Sequence, residues 1–328
     1  MIRRKTLRFL KKGDGKKEKT DKQIKPHPDL KVISGAEISG KGQQRPVPQT
    51  TPQQQARQQA PQQNITLPNI KYKIAVASGK GGVGKSTVAT NLAISLAQTG
   101  AQVGLMDADA YGPSIPTMMG IQENPKTSPE RKLIPLVRHD IKLMSIGFMV
   151  PEEQAMIWRG PMLHSAIRQF LSDVDWGELD YLIIDLPPGT GDVALTLSQA
   201  IPLTGAVIVT TPQDVALADV RRGVAMFERL GVPILGIIEN MSFFRCPHCN
   251  EKTEIFKSDG GKKTSERFAV SFLGEIPLDA EVCTAGDLGV PIVAGHPDSH
   301  QAEAFGDVAS ALDQVLRESG DEDELTIL

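Results

Sequence analysis

Residues 78–87, Ser-Gly-Lys-Gly-Gly-Val-Gly-Lys-Ser-Thr, satisfy the phosphate-loop pattern G-x-x-x-x-G-K-[ST]. The pattern constrains the fold because such a loop functions between a buried strand and the N-terminus of a helix, where backbone N–H groups point at an anion. The flanks meet that requirement. Residues 73–77, Lys-Ile-Ala-Val-Ala, read as a buried strand, and Val88, Leu92 and Leu96 recur at helical spacing just beyond the loop. Glycines let successive N–H groups turn onto a di- or triphosphate, a lysine reaches the outer phosphates, and a hydroxyl meets Mg²⁺. Gly79, Gly81, Gly82, Val83, Gly84, Lys85, Ser86 and Thr87 are therefore the candidate nucleotide contacts, with Ser86 as the Mg²⁺ ligand. Lys80 is a second lysine that an ordinary phosphate loop does not use.

The rest of the chain narrows the class. Its 328 residues, 40% of them hydrophobic, suffice for a sizeable core. No run of about 18 apolar residues occurs, so no spanning helix is expected, and the N-terminus lacks the apolar stretch of a secretory signal. Three cysteines, two of them in one C-x-x-C, make no disulfide framework, so a reducing, cytoplasmic compartment is expected. Through Ile70 there are 15 Lys plus Arg against 5 Asp plus Glu, a net of +10, so the remainder carries −13 of the total of −3. Residues 1–68 are Lys-rich and then Gln- and Pro-rich, with few apolar positions, and read as a disordered basic tail and linker. The first twelve residues fit a solvated tail, a weak contact with an anionic surface of lipid or nucleic acid, or an organellar presequence; their Lys-heavy, Ser-poor composition counts against the last. An acidic tail is expected over 319–328, which leaves 69–318 as the folded domain.

Within that domain strands and helices alternate, which predicts an α/β fold: a doubly wound, mostly parallel sheet with helices on both faces. Strands are expected at 102–106, 181–184, 206–209, 234–238 and 272–276, with a local hairpin pairing 132–136 and 141–146. A helix is expected over 217–230, and Phe305, Val308, Leu312 and Val315 mark a closing helix. In such sheets ligands sit beyond the C-terminal strand ends.

The residues just after the strands carry the chemistry. Asp107 and Asp109 could hold Mg²⁺ through water or orient the attacking water, Asp109 being the water-orienting candidate and Asp107 its support; a turn with a cap is the alternative. Gly112-Pro-Ser114 would then form a switch that reports on the γ-phosphate. Asp185 follows an apolar strand, where a carboxylate meets Mg²⁺ in its outer shell, and Gly189 can turn an N–H toward the γ-phosphate. Asp192 is a candidate helix cap. Asn240 offers both a donor and an acceptor, as adenine recognition needs, or is a turn asparagine.

Cys246-Pro-His-Cys249 can chelate a soft metal, form a redox disulfide, or sit in a turn. A structural zinc usually takes four ligands and no second C-x-x-C exists, so the pair is half a site. Two chains meeting face to face would supply the four thiolates of a [4Fe-4S] cluster or a Cys₄ zinc. Cys283 reads as a buried small hydrophobe.

Lys80 resembles the signature lysine of the deviant Walker A ATPases, the MinD and ParA group, where it crosses a dimer interface to the partner's nucleotide. The loop with Lys80, the 107–114 and 185–192 segments, Trp158-Arg-Gly-Pro-Met162, Thr211-Pro-Gln213, Glu239-Asn-Met-Ser242 and Cys246-Pro-His-Cys249, in this order, are similar to the Mrp/ApbC family of iron-sulfur cluster carrier ATPases. The resemblance covers about residues 70–295. It implies an ATP-hydrolysing homodimer that holds a [4Fe-4S] cluster between its cysteine motifs and passes it to apo-proteins, working with scaffold proteins. It further implies Lys80 and Lys85 on the phosphates, Ser86 on Mg²⁺, Asp109 and Asp185 in hydrolysis, and Cys246 and Cys249 as cluster ligands. Many bacterial relatives carry a small folded domain ahead of the Pro- and Gln-rich linker; here a basic tail stands in that place. A ParA/MinD-like positioning ATPase, a reductase resembling nitrogenase iron protein and a zinc-bridged scaffold are the competing readings.

Overall fold

The computed structural model describes residues 65–149, 160–189, 191–257 and 259–325. In chain order the elements are β1 (Ile70–Ser78), α1 (Lys85–Gln98), β2 (Val103–Asp107), α2 (Ile115–Met118), β3 (Lys126–Thr127), β4 (Leu133–Ile134), β5 (Leu136–Arg138), β6 (Ile141–Ser145) and α3 (Gly160–Ser172). They continue with β7 (Leu179–Asp185), α4 (Gly191–Ala200), β8 (Gly205–Thr210), α5 (Asp214–Arg229), β9 (Ile234–Glu239), β10 (Phe244–Arg245) and β11 (Lys252–Thr253). The last are α6 (Gly260–Phe268), β12 (Phe272–Glu275), α7 (Ala280–Asp287), α8 (Ile292–Gly295) and α9 (His300–Leu325).

The main sheet has the order β12-β9-β8-β1-β7-β2-β6-β5 and is parallel except for the β5–β6 edge. Both faces are covered, so its strands read as continuous apolar runs. The period of two survives in the choice of face. On β1, Ile74 and Val76 pack with Val88 and Leu92 of α1 and Phe305 and Leu312 of α9, whereas Ala75 and Ala77 join the opposite core with Ile167 and Phe170 of α3 and Val193 of α4. The alanines leave room for the bulky helices on that side. The doubly wound α/β expectation holds.

Strand order makes the site. Because β7 lies between β1 and β2, Asp185 is in register with Val76 on one side and Asp107 on the other. The segments following β1, β7 and β2 thus leave the sheet side by side, although they lie some 30 to 100 residues apart in sequence.

Three expectations are corrected. In the 132–146 region, Leu136–Arg138 does pair with Ile141–Ser145, but Leu133–Ile134 turns away to pair with Lys126–Thr127; Pro135, which cannot donate to a ladder, separates the two. The closing helix runs to Leu325, past the boundary at 318, because Asp and Glu are compatible with a helix and the single Gly320 costs only about 1 kcal/mol. Cys283 is exposed, on a helix whose buried side chain is Ala285. The readings of residues 1–64, of Trp158 and Arg159, and of 326–328 lie outside the described residues; Gly160, Pro161 and Met162 open α3. Among the described residues no helix is long and apolar enough to cross a membrane.

Candidate functional site

The phosphate loop encloses a cavity of about 210 Å³ lined by Lys80 through Thr87, Ser78, Asp109, Ser114, Met118 and Pro188. Gly84 ends the loop at φ 79°, a backbone shape that L side chains rarely adopt. A Cβ there would also stand 2.2 Å from Asn240 Nδ2 and would displace that amide from the loop. Gly79 is not on the cavity wall; a Cβ there would strike Asp219 of α5, so this glycine serves the approach of a helix.

Lys85 is only 5% exposed. Its Nζ lies 2.7 Å from Asp185 Oδ1 and 3.7 Å from Asp109 Oδ2. The Ser86 hydroxyl donates to Asp185 Oδ2 at 2.6 Å. The loop's cation and hydroxyl are therefore both held by one fully buried carboxylate. Burial pushes Asp185 above the usual carboxylate range, against the pull of the Lys85 cation and the bonds from Lys85 and Ser86. Burial likewise raises Asp109, opposed mainly by Lys85. The donor set of Ser86 and Asp185 is a hydroxyl beside a carboxylate, which suits Mg²⁺.

Gly189 donates its N–H to Ser78 O at 3.2 Å rather than into the cavity. Asn240 is buried, and its Nδ2 donates to Val83 O at 2.8 Å, so its amide props the phosphate loop. Asp192 lies in the first turn of α4, where its charge complements the helix dipole.

The cysteines sit elsewhere, at the tip of the β10–β11 hairpin. Cys246 N–H donates to Glu251 O and Asn250 N–H to Cys246 O, closing the turn. Backbone N–H groups of Cys249 and His248, with the Cys249 side chain, hold the Cys246 thiol below its ordinary pKa, which favours the thiolate that binds metals. Cys249 is exposed. Among the described residues no three His, Cys, Asp or Glu side chains converge as a metal site.

Residues 69–313 match the family model described as ParA, NUBPL iron-transfer P-loop NTPase. The chain belongs to this family. A Dictyostelium discoideum relative named iron-sulfur cluster transfer protein NUBPL is 51% identical over 77% of this chain and 79% of its own. An Aquifex aeolicus relative named iron-sulfur cluster carrier protein is 52% identical over 76% of this chain and 69% of its own. Among solved structures, a nucleotide-binding protein from Archaeoglobus fulgidus in complex with ADP aligns with a TM-score of 0.63 and 42% identity, covering 72% of this chain and 93% of that one. MinD from Pyrococcus furiosus, at 22% identity and a TM-score of 0.56, shares the fold.

In this NUBPL-type NTPase one polar chain behind the cleft has no signature in the sequence. Asp107, fully buried, accepts the Asp109 N–H at 3.0 Å and the Ser145 hydroxyl at 2.8 Å, while Ser145 Oγ accepts the Gly147 N–H. Ser145 ends β6, and only the β2–β6 register brings it to Asp107. Burial and the neighbouring Asp185 push Asp107 up to about 7. The sign follows: with the folded pKa above the unfolded one, Asp107's contribution to stability is complete below about pH 4 and is lost as pH rises through about 7. Asp107→Asn, which keeps a hydrogen bond to each partner, is therefore expected to gain stability over wild type progressively from about pH 4 to about 7, in urea unfolding at a series of pH values. A pH-independent difference would contradict the assignment.

Proposed function

We propose that this family member is an ATP-binding and ATP-hydrolysing iron-sulfur cluster carrier: a homodimer that assembles a [4Fe-4S] cluster between two copies of Cys246 and Cys249 and transfers it to apo-proteins. The observation that carries this reading is an accessible thiol pair, joined by no further metal ligand among the described residues, on the same body as a complete phosphate loop with an extra lysine. Two such pairs make the Cys₄ set of a cubane cluster. The relatives' names, iron-sulfur cluster carrier and transfer protein, support it.

In the cleft Asp185 accepts hydrogen bonds from both Lys85 and Ser86. A triphosphate competes for both, and its arrival frees the carboxylate. Ser86 directly, and Asp185 through water, would hold Mg²⁺, which neutralises charge on the phosphates when bound. Asp109, beside the loop and fixed through its own N–H by Asp107, accepts a hydrogen bond from the attacking water and orients it. Lys80, in contact with the cleft, reaches the partner's nucleotide and stabilises charge on the transferred phosphoryl group. Asn240 contacts the adenine with the polar atoms that the loop leaves it. The basic tail makes a weak anionic contact, and the compartment is cytoplasmic.

Lys80→Ala is expected to lower kcat roughly 10³-fold, as loss of a cation acting in trans does, while ATP affinity changes by only a few fold. Steady-state hydrolysis paired with equilibrium nucleotide binding measures both. An unchanged kcat would remove Lys80 from the mechanism.

A further inference from the structure

Glu239 is fully buried, and the hydrolysis described above does not use it. Its carboxylate accepts the Ser242 hydroxyl at 2.6 Å through one oxygen and the Gly261 N–H through the other. The fit is close: a methyl on Gly261 would stand 3.0 Å from Glu239 Cβ. A buried carboxylate held by neutral donors is costly to keep, so its geometry is tightly specified.

The segment around it touches both sites. On the nucleotide side, Asn240 grips Val83 O, and the same amide crowds Gly84. On the cysteine side, Ser242 N–H donates to Ile276 O and Leu278 N–H to Phe243 O, and only Phe243, Phe244 and Arg245 separate Ser242 from Cys246. Between the two grips Met241 is held at φ 55°, a sparsely populated conformation for a bulky residue that persists when its surroundings over-determine it. The strand behind Glu239 is pinned in the sheet by β8 and β12. Val83 and Gly84 line the cavity, so a displacement of their backbone would reach the Met241 turn through Asn240, and the Glu239–Ser242 bond ties the two ends of that turn together.

We propose that Glu239 and Ser242 are positioning residues that transmit the state of the phosphate loop to the cysteine hairpin. The proposal rests on the ATP-coupled carrier reading. A coupling of this kind needs differential contacts in two states of one element, and the Met241 turn is that element.

The test uses the full chain without cluster, in a Cys283→Ser background because Cys283 is also exposed. The rate of alkylation of Cys246 and Cys249 by iodoacetamide is followed with and without a non-hydrolysable ATP analogue. The parent is expected to show at least about a fivefold nucleotide-dependent change in rate. Ser242→Ala abolishes that response while kcat and KM for ATP stay near the parental values, and Ser242→Thr, which restores the hydroxyl, restores it. A Ser242→Ala protein that responds like the parent overturns this proposal and leaves the carrier reading standing. A parent with no response removes the nucleotide coupling itself, and this proposal with it, whereas cluster assembly is read separately from iron and sulfide content.

Discussion

Replacing Cys246 and Cys249 together by alanine is expected to abolish iron and sulfide binding while leaving ATP hydrolysis and thermal stability close to wild type. The two cysteines belong to a two-stranded hairpin outside the main sheet, and neither side chain is in the core. The bonds that close the hairpin run through the backbone of Cys246, Asn250 and Glu251 and survive truncation to alanine. Surface substitutions of this kind move stability by about 0.5 kcal/mol or less. Anaerobic reconstitution with iron and sulfide, followed by the visible spectrum and metal analysis, gives the answer. Wild type should carry about four irons per dimer with a broad visible absorption, and the variant neither. Colourless wild-type protein with about one zinc per dimer would instead indicate a zinc-bridged scaffold. Protein without metal, together with full function in the alanine variant, would favour a positioning ATPase.

Lys85→Met is expected to eliminate hydrolysis and also to destabilise the nucleotide-free protein, an effect that a purely catalytic lysine would not have. Lys85 and Asp185 form an ion pair at 2.7 Å with side chains 5% and 0% exposed. Removing one partner of such a pair leaves an uncompensated buried charge, at a cost of about 3–5 kcal/mol. For a domain of this size that lowers the thermal midpoint on the order of 10 °C. Methionine keeps the length and apolar stem of the lysine, so the change reports charge rather than a cavity. Asp185→Asn in the same chain should recover most of the lost stability without recovering hydrolysis. Calorimetry of the single and double variants, closed as a thermodynamic cycle, checks the coupling. Additive losses would show that the pair contributes nothing to folding.

Much of this molecule was legible in its residues because the relevant rules are local. The glycine pattern at 79–84, the apolar runs of β1, β2, β7, β8 and β9, and the aspartates that end β2 and β7 each satisfy short-range requirements of backbone shape and periodicity. Cys246-Pro-His-Cys249 was visible for the same reason: a C-x-x-C pair is defined by its spacing alone.

What escaped was every contact that depends on strand order and register. Asn240, read as a nucleotide contact, holds Val83 across 157 positions of sequence. Gly79 also makes room for Asp219 of α5, a contact that only the packing of that helix reveals. Ser145 meets Asp107 because β6 pairs with β2, and Glu239 meets Gly261 because α6 packs on β9. Cys283 has the composition of a core residue yet faces outward, since the face that a short helix buries is chosen by its neighbours. By itself, then, the sequence determined the main strands and helices, the phosphate loop and the cysteine pair, all of them consequences of local backbone chemistry. The tertiary structure alone decided which carboxylate holds Lys85 and which residues join the loop to the cysteines, because burying both faces of the sheet selects one strand order, and strand order sets every distance between sites.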